Sequence, residues 1–547
     1  MKTRADSLRA LESGSFDVCV IGAGATGAGC ALDAQLRGLR TALVDAGDFA
    51  SCTSSASTKL AHGGIRYLQQ AVAELDPGQF KVVREALVER LLMLQNAPHL
   101  AHTRQFLVPC FSNFESLYYA VGLKLYDWLA GSARLGVSRL LSRSEAVATL
   151  PTLTRNGVTR AAVYEDGQFD DARFCVAIVK SFSEAGGEVA NYLKVVGFER
   201  GQDGHLTGAV VQDAFTGRTF GVRAKALVNA SGPFSDGLRS LASPELSSRL
   251  ILSKGVHILL PLIGDISSAL LIPKTEDGRV IFAIPWLGRL LVGTTDEEVA
   301  PEHDLTVTRE DVEYLLRHLN RYSSLQYTAH DVVSAFSGAR PLVRARYSRK
   351  TKKLIRAHEV EVDGNSGLVS ILGGKWTTYR AMAEDTIDAV QKQLGGTAPA
   401  KTRHFRLAGA EGYSSDQWRL LASLYDLSEA TAKHLSEKFG TEAEAVLALA
   451  KENSQLNSLV VNDAAPIQAE IVYCVRTEMA ITIEDVLARR IGLQSFSWKL
   501  ARQAAPVVAD HLAQELGWSA DEKSHAVEDY VGKIDRQCHA LGLQLDS

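Results

Sequence analysis

Apolar residues near the start of the chain fall in blocks that point to a specific order of elements. Residues 16–21 (FDVCVI) are an almost unbroken apolar run, the pattern of a strand buried on both faces. A stretch of glycine, alanine and other small residues follows to about residue 37 and predicts a closely packed helix. Residues 41–44 (TALV) form a second apolar strand that stops at Asp45. Two further runs, 226–230 (ALVNA) and 368–372 (LVSIL), end on glycine turns at Ser231-Gly232-Pro233 and Gly373-Gly374-Lys375, with a helix predicted from near Thr377. These runs read as parallel strands returning to the same sheet, with their turns at the carboxyl ends, where open α/β sheets hold ligands. Between 245 and 335 the period becomes two, around 258–260, 280–283 and 290–292, and predicts an antiparallel sheet in a separate substrate-facing domain. From about Pro399 the pattern is helical. Thr441 with Glu444, Thr482 with Asp485, and Ser519 with Glu522 have capping-box spacing, and Gly440 and Gly517 read as helix stops. In residues 114–129, Phe114, Leu117, Tyr118, Val121, Leu125, Trp128 and Leu129 recur at helical spacing. That stretch fits a helix buried against its domain, or one lying at a membrane interface with Tyr and Trp at headgroup level.

The predicted fold class is therefore α/β: a Rossmann-like dinucleotide-binding domain, an interleaved α+β substrate domain with an antiparallel sheet, and an all-helical C-terminal domain. The expected boundaries are 16–85, 150–240 and 336–397 for the first, 86–149 and 241–335 for the second, and 400–547 for the third. A length of 547 residues is too great for one core, which agrees with this division.

Composition narrows the function classes. A net charge of −4 gives no global basic field, so no nucleic-acid partner is expected. The seven cysteines include no C-x-x-C pair and fit reduced thiols in a cytosolic compartment better than disulfides or a metal site. The first fifteen residues carry Lys2, Arg4 and Arg9 without an apolar stretch and do not read as a secretory signal. No run approaches ~18 apolar residues, so any membrane contact is expected to be peripheral.

The chemistry starts at Gly22-x-Gly24-x-x-Gly27. Gly22 permits the tight turn, Gly24 lets backbone approach a pyrophosphate, and Gly27 lets helix and strand pack closely. The helix N-terminus then offers unpaired amides and a positive dipole end to phosphates. Asp45 lies 23 positions after Gly22, near the ~20 expected for a carboxylate on a ribose hydroxyl. The next segment, CTSSASTKLAHGGIRY (52–67), is dense in small hydroxyls and contains Gly63-Gly64. Its donors and close backbone approach suit a flavin ring and its phosphates, which favours a flavin over a nicotinamide cofactor. Candidate cofactor-binding residues are Gly22, Gly24, Gly27, Asp45, Thr53, Ser54, Ser55, Ser57, Lys59, His62, Gly63, Gly64, Gly232, Gly373, Gly374, Lys375 and Thr377.

These segments, with FDDAR (169–173), NASGPFSD (229–236), SKGVHILLP (253–261), FAIPW (282–286), GTTD (293–296), SGARPL (337–342), LGGKWTTYR (372–380) and EMAITIEDVLARR (478–490), carry a family resemblance. Over about residues 16–500 the chain resembles the FAD-dependent, quinone-linked glycerol-3-phosphate dehydrogenases of the D-amino-acid-oxidase-like superfamily. The resemblance implies FAD as cofactor and oxidation of sn-glycerol 3-phosphate to dihydroxyacetone phosphate. It further implies a membrane quinone as acceptor, a homodimer, and a cytoplasmic protein in peripheral contact with the inner face of the membrane. A phosphate dianion needs forked cations, and a secondary alcohol that loses hydride needs a base. By the resemblance, His257 is the base, Arg340 stabilises the alkoxide, Arg356 clamps the phosphate with Tyr67 and Lys375, and Arg66 lines the substrate pocket. Lys375 has a second reading at the flavin N1/C2-carbonyl edge. The chain departs from the family pattern in the basic run Arg344, Arg346, Arg349, Lys350, Lys352 and Lys353, in Thr58 where serine is common, and in Phe169. The alternatives are an oxidase that delivers electrons to oxygen and a flavin-binding protein without turnover. Five convergent polar or cationic positions stand against the latter.

Overall fold

The computed structural model describes residues 1–64, 77–264, 266–300, 305–344 and 358–543. The first apolar run becomes Ser15–Ile21, the centre of an eight-stranded sheet. Thr219–Asn229 pairs with it in parallel on one side and Thr41–Val44 on the other. Val369–Gly373 and Glu188–Ala190 extend the parallel set at either end. Phe16, Val18, Cys19 and Val20 are all buried, as a strand covered on both faces requires. On one face, helix Ala25–Leu36 packs against helices Asp171–Glu184 and Tyr379–Leu394. Small residues make this fit possible: a Cβ on Gly29 would stand 3.0 Å from the Tyr379 ring. The antiparallel strands Leu193–Arg200 and Leu206–Asp213 continue from Thr219–Asn229, and with Leu11 of helix Arg4–Ser13 they build the core of the other face.

A second, ten-stranded sheet is mainly antiparallel, as the period-two pattern predicts. It also takes in Arg160–Phe169 and Ser334–Val343, segments that the sequence reading divides between domains or gives to the dinucleotide-binding part. Its longest strand, Leu250–Pro261, lies between Arg289–Gly293 and Ser334–Val343. This register sets His257 opposite both Gly293 and Phe336, and Ser253 opposite Arg340.

Residues 417–540 are helical throughout their main elements. The capping boxes at Ser519/Glu522 and Thr482/Asp485 form, and Gly440 and Gly517 end helices at positive φ. Thr441 does not cap, because residues 440–442 form a 3-10 turn and the next helix starts at Ala443. Helix Asn113–Ala130 packs Leu123, Tyr126 and Ala130 against its domain, with Leu125 and Leu129 partly buried, and turns Phe114, Leu117, Val121 and Trp128 to solvent. Among the described residues no helix is long and apolar enough to cross a membrane. All seven cysteines are free, and all but Cys52 are buried.

Candidate active site

The glycine turn has the shape a dinucleotide needs. Gly22 has φ +104°, and a Cβ there would meet Ala230 O at 2.7 Å; a Cβ on Gly27 would fall 1.8 Å from Gly22 O. Gly24 is the N-cap of helix Ala25–Leu36 and faces Ser54, whose Oγ would lie 2.8 Å from an added Cβ and accepts from Ala25 N at 2.9 Å. The hydroxyl-rich loop thus meets the helix N-terminus where phosphates bind. Asp45 accepts from Ala23 N at 2.5 Å and Gly47 N at 2.8 Å, and desolvation raises its pKa to about 6 despite these bonds. These cradles, which any side chain would fill, together with the carboxylate at the strand end, fit FAD.

Within the loop the side chains divide. Thr53 Oγ1 donates to Ala339 O at 2.7 Å, and Ser55 Oγ donates to Cys52 O at 3.2 Å, inside its own turn. Ser57 donates twice to Asp171, through its amide and its hydroxyl. Lys59 has φ +59° and is buried, with Nζ 2.5 Å from Asp171 Oδ1 and over the rings of Trp286 and Phe336 at 4.8 and 4.9 Å. Lys59, expected at the cofactor, pairs its ammonium with Asp171, the counter-charge that a buried cation needs. His62 N donates to Thr377 Oγ1 and Gly63 N to the Tyr126 hydroxyl, while Gly64, Gly232, Gly373 and Gly374 all take positive φ at turns.

The reactive candidates stand on strands. His257 is buried, its Nε2 is 2.9 Å from Thr58 Oγ1, and its ring stacks on Phe336 at 5.0 Å. Its opposite face lies against Gly293, where a Cβ would come 2.1 Å from His257 Cδ2. Burial first, then the charges of Arg340 and Lys59, push the imidazole pKa well below its ordinary value, so the ring is a neutral acceptor. Arg340 donates to Thr294 Oγ1 at 2.8 Å and Thr295 O at 3.3 Å, with Asp296 at 3.9 Å. Its guanidinium lies over Gly255, whose added Cβ would be 2.2 Å from Nη2. Arg340, His257, Gly374, Lys375 and Thr377 line one cavity of about 760 Å³ together with Thr53, Ser57, His62 and Gly64. Gly22 and Asp45 follow the ends of strands Ser15–Ile21 and Thr41–Val44, Gly24 caps the helix between them, and none of the three lines the cavity. Arg66, Tyr67, Arg356 and most of the basic run at 344–353 lie outside the described residues.

Sequence reasoning missed Thr58, Asp171, Gly255, Gly293 and Thr294 as working parts of the site. All lie inside motifs that carry the resemblance, but only strand register shows what each one touches.

The FAD dependent oxidoreductase family model matches residues 17–380, and that of the C-terminal domain of alpha-glycerophosphate oxidase matches residues 400–523. A probable mitochondrial glycerol-3-phosphate dehydrogenase of Caenorhabditis elegans is 41% identical over 552 residues, covering 98% of this chain and 76% of the relative. The mitochondrial glycerol-3-phosphate dehydrogenase of Bos taurus is 40% identical over 530 residues, covering 94% and 73%. The X-ray structure of the glycerol-3-phosphate dehydrogenase from Bacillus halodurans complexed with FAD is 30% identical, with a TM-score of 0.79 over 100% of this chain and 99% of that one.

Proposed function

Because the chain belongs to the FAD-dependent glycerol-3-phosphate dehydrogenase family, we propose that His257, Arg340 and Lys375 form the centre at which it oxidises sn-glycerol 3-phosphate to dihydroxyacetone phosphate. The observation that carries the assignment is their convergence on one cavity with the hydroxyl-rich loop and the Gly374 turn. FAD, held by the glycine turn, Asp45 and the loop 53–64, supplies the two-electron acceptor for the hydride on C2 of the substrate. The neutral His257 imidazole takes the hydroxyl proton as the C2–O bond becomes a carbonyl. Arg340, fixed by Thr294 and Thr295, faces the oxygen as negative charge builds on it. Lys375, at the Gly373-Gly374 turn, adds positive charge at the substrate phosphate or at the flavin edge. Arg66, Tyr67 and Arg356 are assigned to the substrate pocket on the family motif alone.

Anaerobic mixing with glycerol 3-phosphate tests this reading. The yellow protein should bleach, and Arg340→Met should slow bleaching by about 10²-fold, the scale of one lost oxyanion donor. A variant that bleaches at the wild-type rate removes Arg340 from the centre.

A membrane quinone is the acceptor we assign, with the protein bound at the membrane surface. Helix Asn113–Ala130 supports this: Phe114 is 77% and Trp128 74% exposed, and Phe114, Leu117, Tyr118 and Val121 also line the cavity. An apolar face continuous with the reaction chamber suits a lipid-soluble acceptor. Serine at 114, 117, 121 and 128 should abolish co-sedimentation with phospholipid vesicles and slow reoxidation by a long-tailed quinone. Unchanged binding, or oxygen reoxidising the protein faster than quinone does, sinks this assignment. The homodimer is likewise a proposal, decided by light scattering.

A further inference from the structure

The C-terminal helices reach the cofactor half of the chain through buried charges. Asp48, buried three residues after Asp45, accepts from Arg489 Nε at 2.6 Å, from Arg490 Nη1 and Nη2 at 2.7 and 2.9 Å, and from Asn191 Nδ2 at 3.1 Å. Adjacent residues of an α-helix point about 100° apart. Here the segment Asp485–Arg490 is a π-helix, and two consecutive arginines converge on one carboxylate.

The same segment holds the loop's backbone. Asp485 Oδ1 accepts from the Tyr192 hydroxyl at 2.6 Å and from Arg489 Nη2 at 2.6 Å. Tyr192 N donates to Gly47 O at 2.9 Å, and Leu193 N to Asp45 O at 2.6 Å. Position 48 is therefore tied through its side chain, and positions 45 and 47 through their carbonyls. A second arm runs from Glu478, which takes a forked pair from Arg173 at 2.7 and 2.9 Å. Arg173 stands on the helix whose first residue, Asp171, holds Ser57 and Lys59 of the hydroxyl loop. Lys438 reaches Asp170 beside it.

Four buried carboxylates (Asp48, Asp171, Glu478 and Asp485) and three buried guanidiniums (Arg173, Arg489 and Arg490) thus connect one domain to both loops assigned to the cofactor. Stability alone does not call for them, since well-packed apolar groups of similar volume commonly stabilise as much as a buried ion pair. What fixed ion pairs add is position: forked arginine contacts define where a carboxylate stands.

We propose that the C-terminal domain is a positioning part of the FAD site. Arg489 and Arg490, acting through Asp48, set the loop that presents Asp45 to the cofactor, so FAD binding and closure of residues 478–490 on that loop are coupled. The inference rests on the reading that FAD is held by the glycine turn and Asp45.

Two measurements on the full chain test it. Hydrogen exchange of the wild type, with and without FAD, should slow in peptides spanning 478–492 more than in the outer helix Ala520–Ala540. No such excess, with slowing at 22–27, overturns the proposal and leaves the FAD reading intact. No change at 22–27 either overturns the FAD reading itself. Titration of FAD into deflavinated protein should show Asp48→Asn weakening binding about tenfold or more, within the ~5–150-fold usual for coupled sites. Arg490→Lys, which keeps the charge without the fork, should fall between Asp48→Asn and the wild type. A folded Asp48→Asn protein with a Kd within twofold of wild type overturns the proposal. Should that variant fail to fold, the wild-type exchange comparison decides.

Discussion

Replacing His257 with glutamine removes the proposed base but keeps a polar group of similar size beside Thr58. A positioned general base contributes ~10²–10⁴-fold, or about 2.7–5.4 kcal/mol of barrier. The structure also fixes where pH acts. Burial and the positive charges of Arg340 and Lys59 disfavour the imidazolium, so His257 has its pKa lowered well below 6.5. The neutral, proton-accepting form therefore persists from high pH down past neutrality. The His257 contribution is lost only as pH falls through the depressed value. The assay is stopped-flow reduction at low substrate concentration, which reports kcat/KM and hence ionisations of the free enzyme and free substrate. The substrate's phosphate, which ionises near pH 6 by analogy with other phosphate monoesters, affects both proteins and cancels in the ratio of wild type to variant. That ratio should sit on a plateau of ~10²–10⁴ above about pH 6.5 and decline only at more acid pH. Substrate affinity should change far less, because the base acts as charge moves in the transition state. A ratio near one, or one that keeps climbing between pH 7 and 9, refutes the assignment.

Thr58→Val strips the hydroxyl from His257 Nε2 and should slow reduction about tenfold, the worth of one hydrogen bond of ~1 kcal/mol or slightly more, with FAD affinity unchanged by fluorescence titration. Gly293→Ala places a methyl 2.1 Å from a ring already stacked on Phe336, so His257 must move; displacement of ~1 Å should cost about 10²-fold in stopped-flow rate while FAD content stays normal. Asp45 carries a pKa raised to about 6, so FAD affinity should be full above that pH and fall as pH drops through it; Asp45→Asn should bind weakly at every pH from 5 to 8, and a pH profile that survives this change refutes the role.

What the sequence made legible follows from how each element earns its pattern. Ser15–Ile21 and Val369–Gly373 are buried on both faces, which forces continuous apolar runs, and their turns admit only glycine at positive φ. Membership of Arg160–Phe169 in the second sheet was hidden, because alternation reports how many faces are buried and says nothing of which strand lies alongside. The hydroxyl run 53–58 signalled a cofactor loop, yet composition cannot tell a hydroxyl facing a ligand from one facing a carboxylate. Ser57 faces Asp171, 114 residues away in sequence, and only the folded chain brings the two together. The Lys59 ion pair was hidden for the same reason: its φ of +59° accompanies a side chain that reaches Asp171, a pairing no local pattern encodes.

The two side chains proposed to react, His257 and Arg340, share a construction. Neighbouring strands of an antiparallel sheet bring opposed Cβ atoms to ~4.5–5.5 Å, too close for a ring or a guanidinium to lie across its neighbour. Glycine opposite, or close to, each reactive residue opens that space: Gly293 lies under the His257 ring and Gly255 under the Arg340 guanidinium. Both groups are therefore backed by strand backbone: Gly293 pairs with His257 and with Phe282, and Gly255 with Gly338. Placement on strands is stiffer than placement on loops. Substitutions on Leu250–Pro261, Arg289–Gly293 and Ser334–Val343 should accordingly act on the rate of hydride transfer. On the proposed assignment, changes to the loops at 45–50 and 53–64, or to the buried charges at 170–173 and 478–490 that contact them, should act instead on FAD affinity.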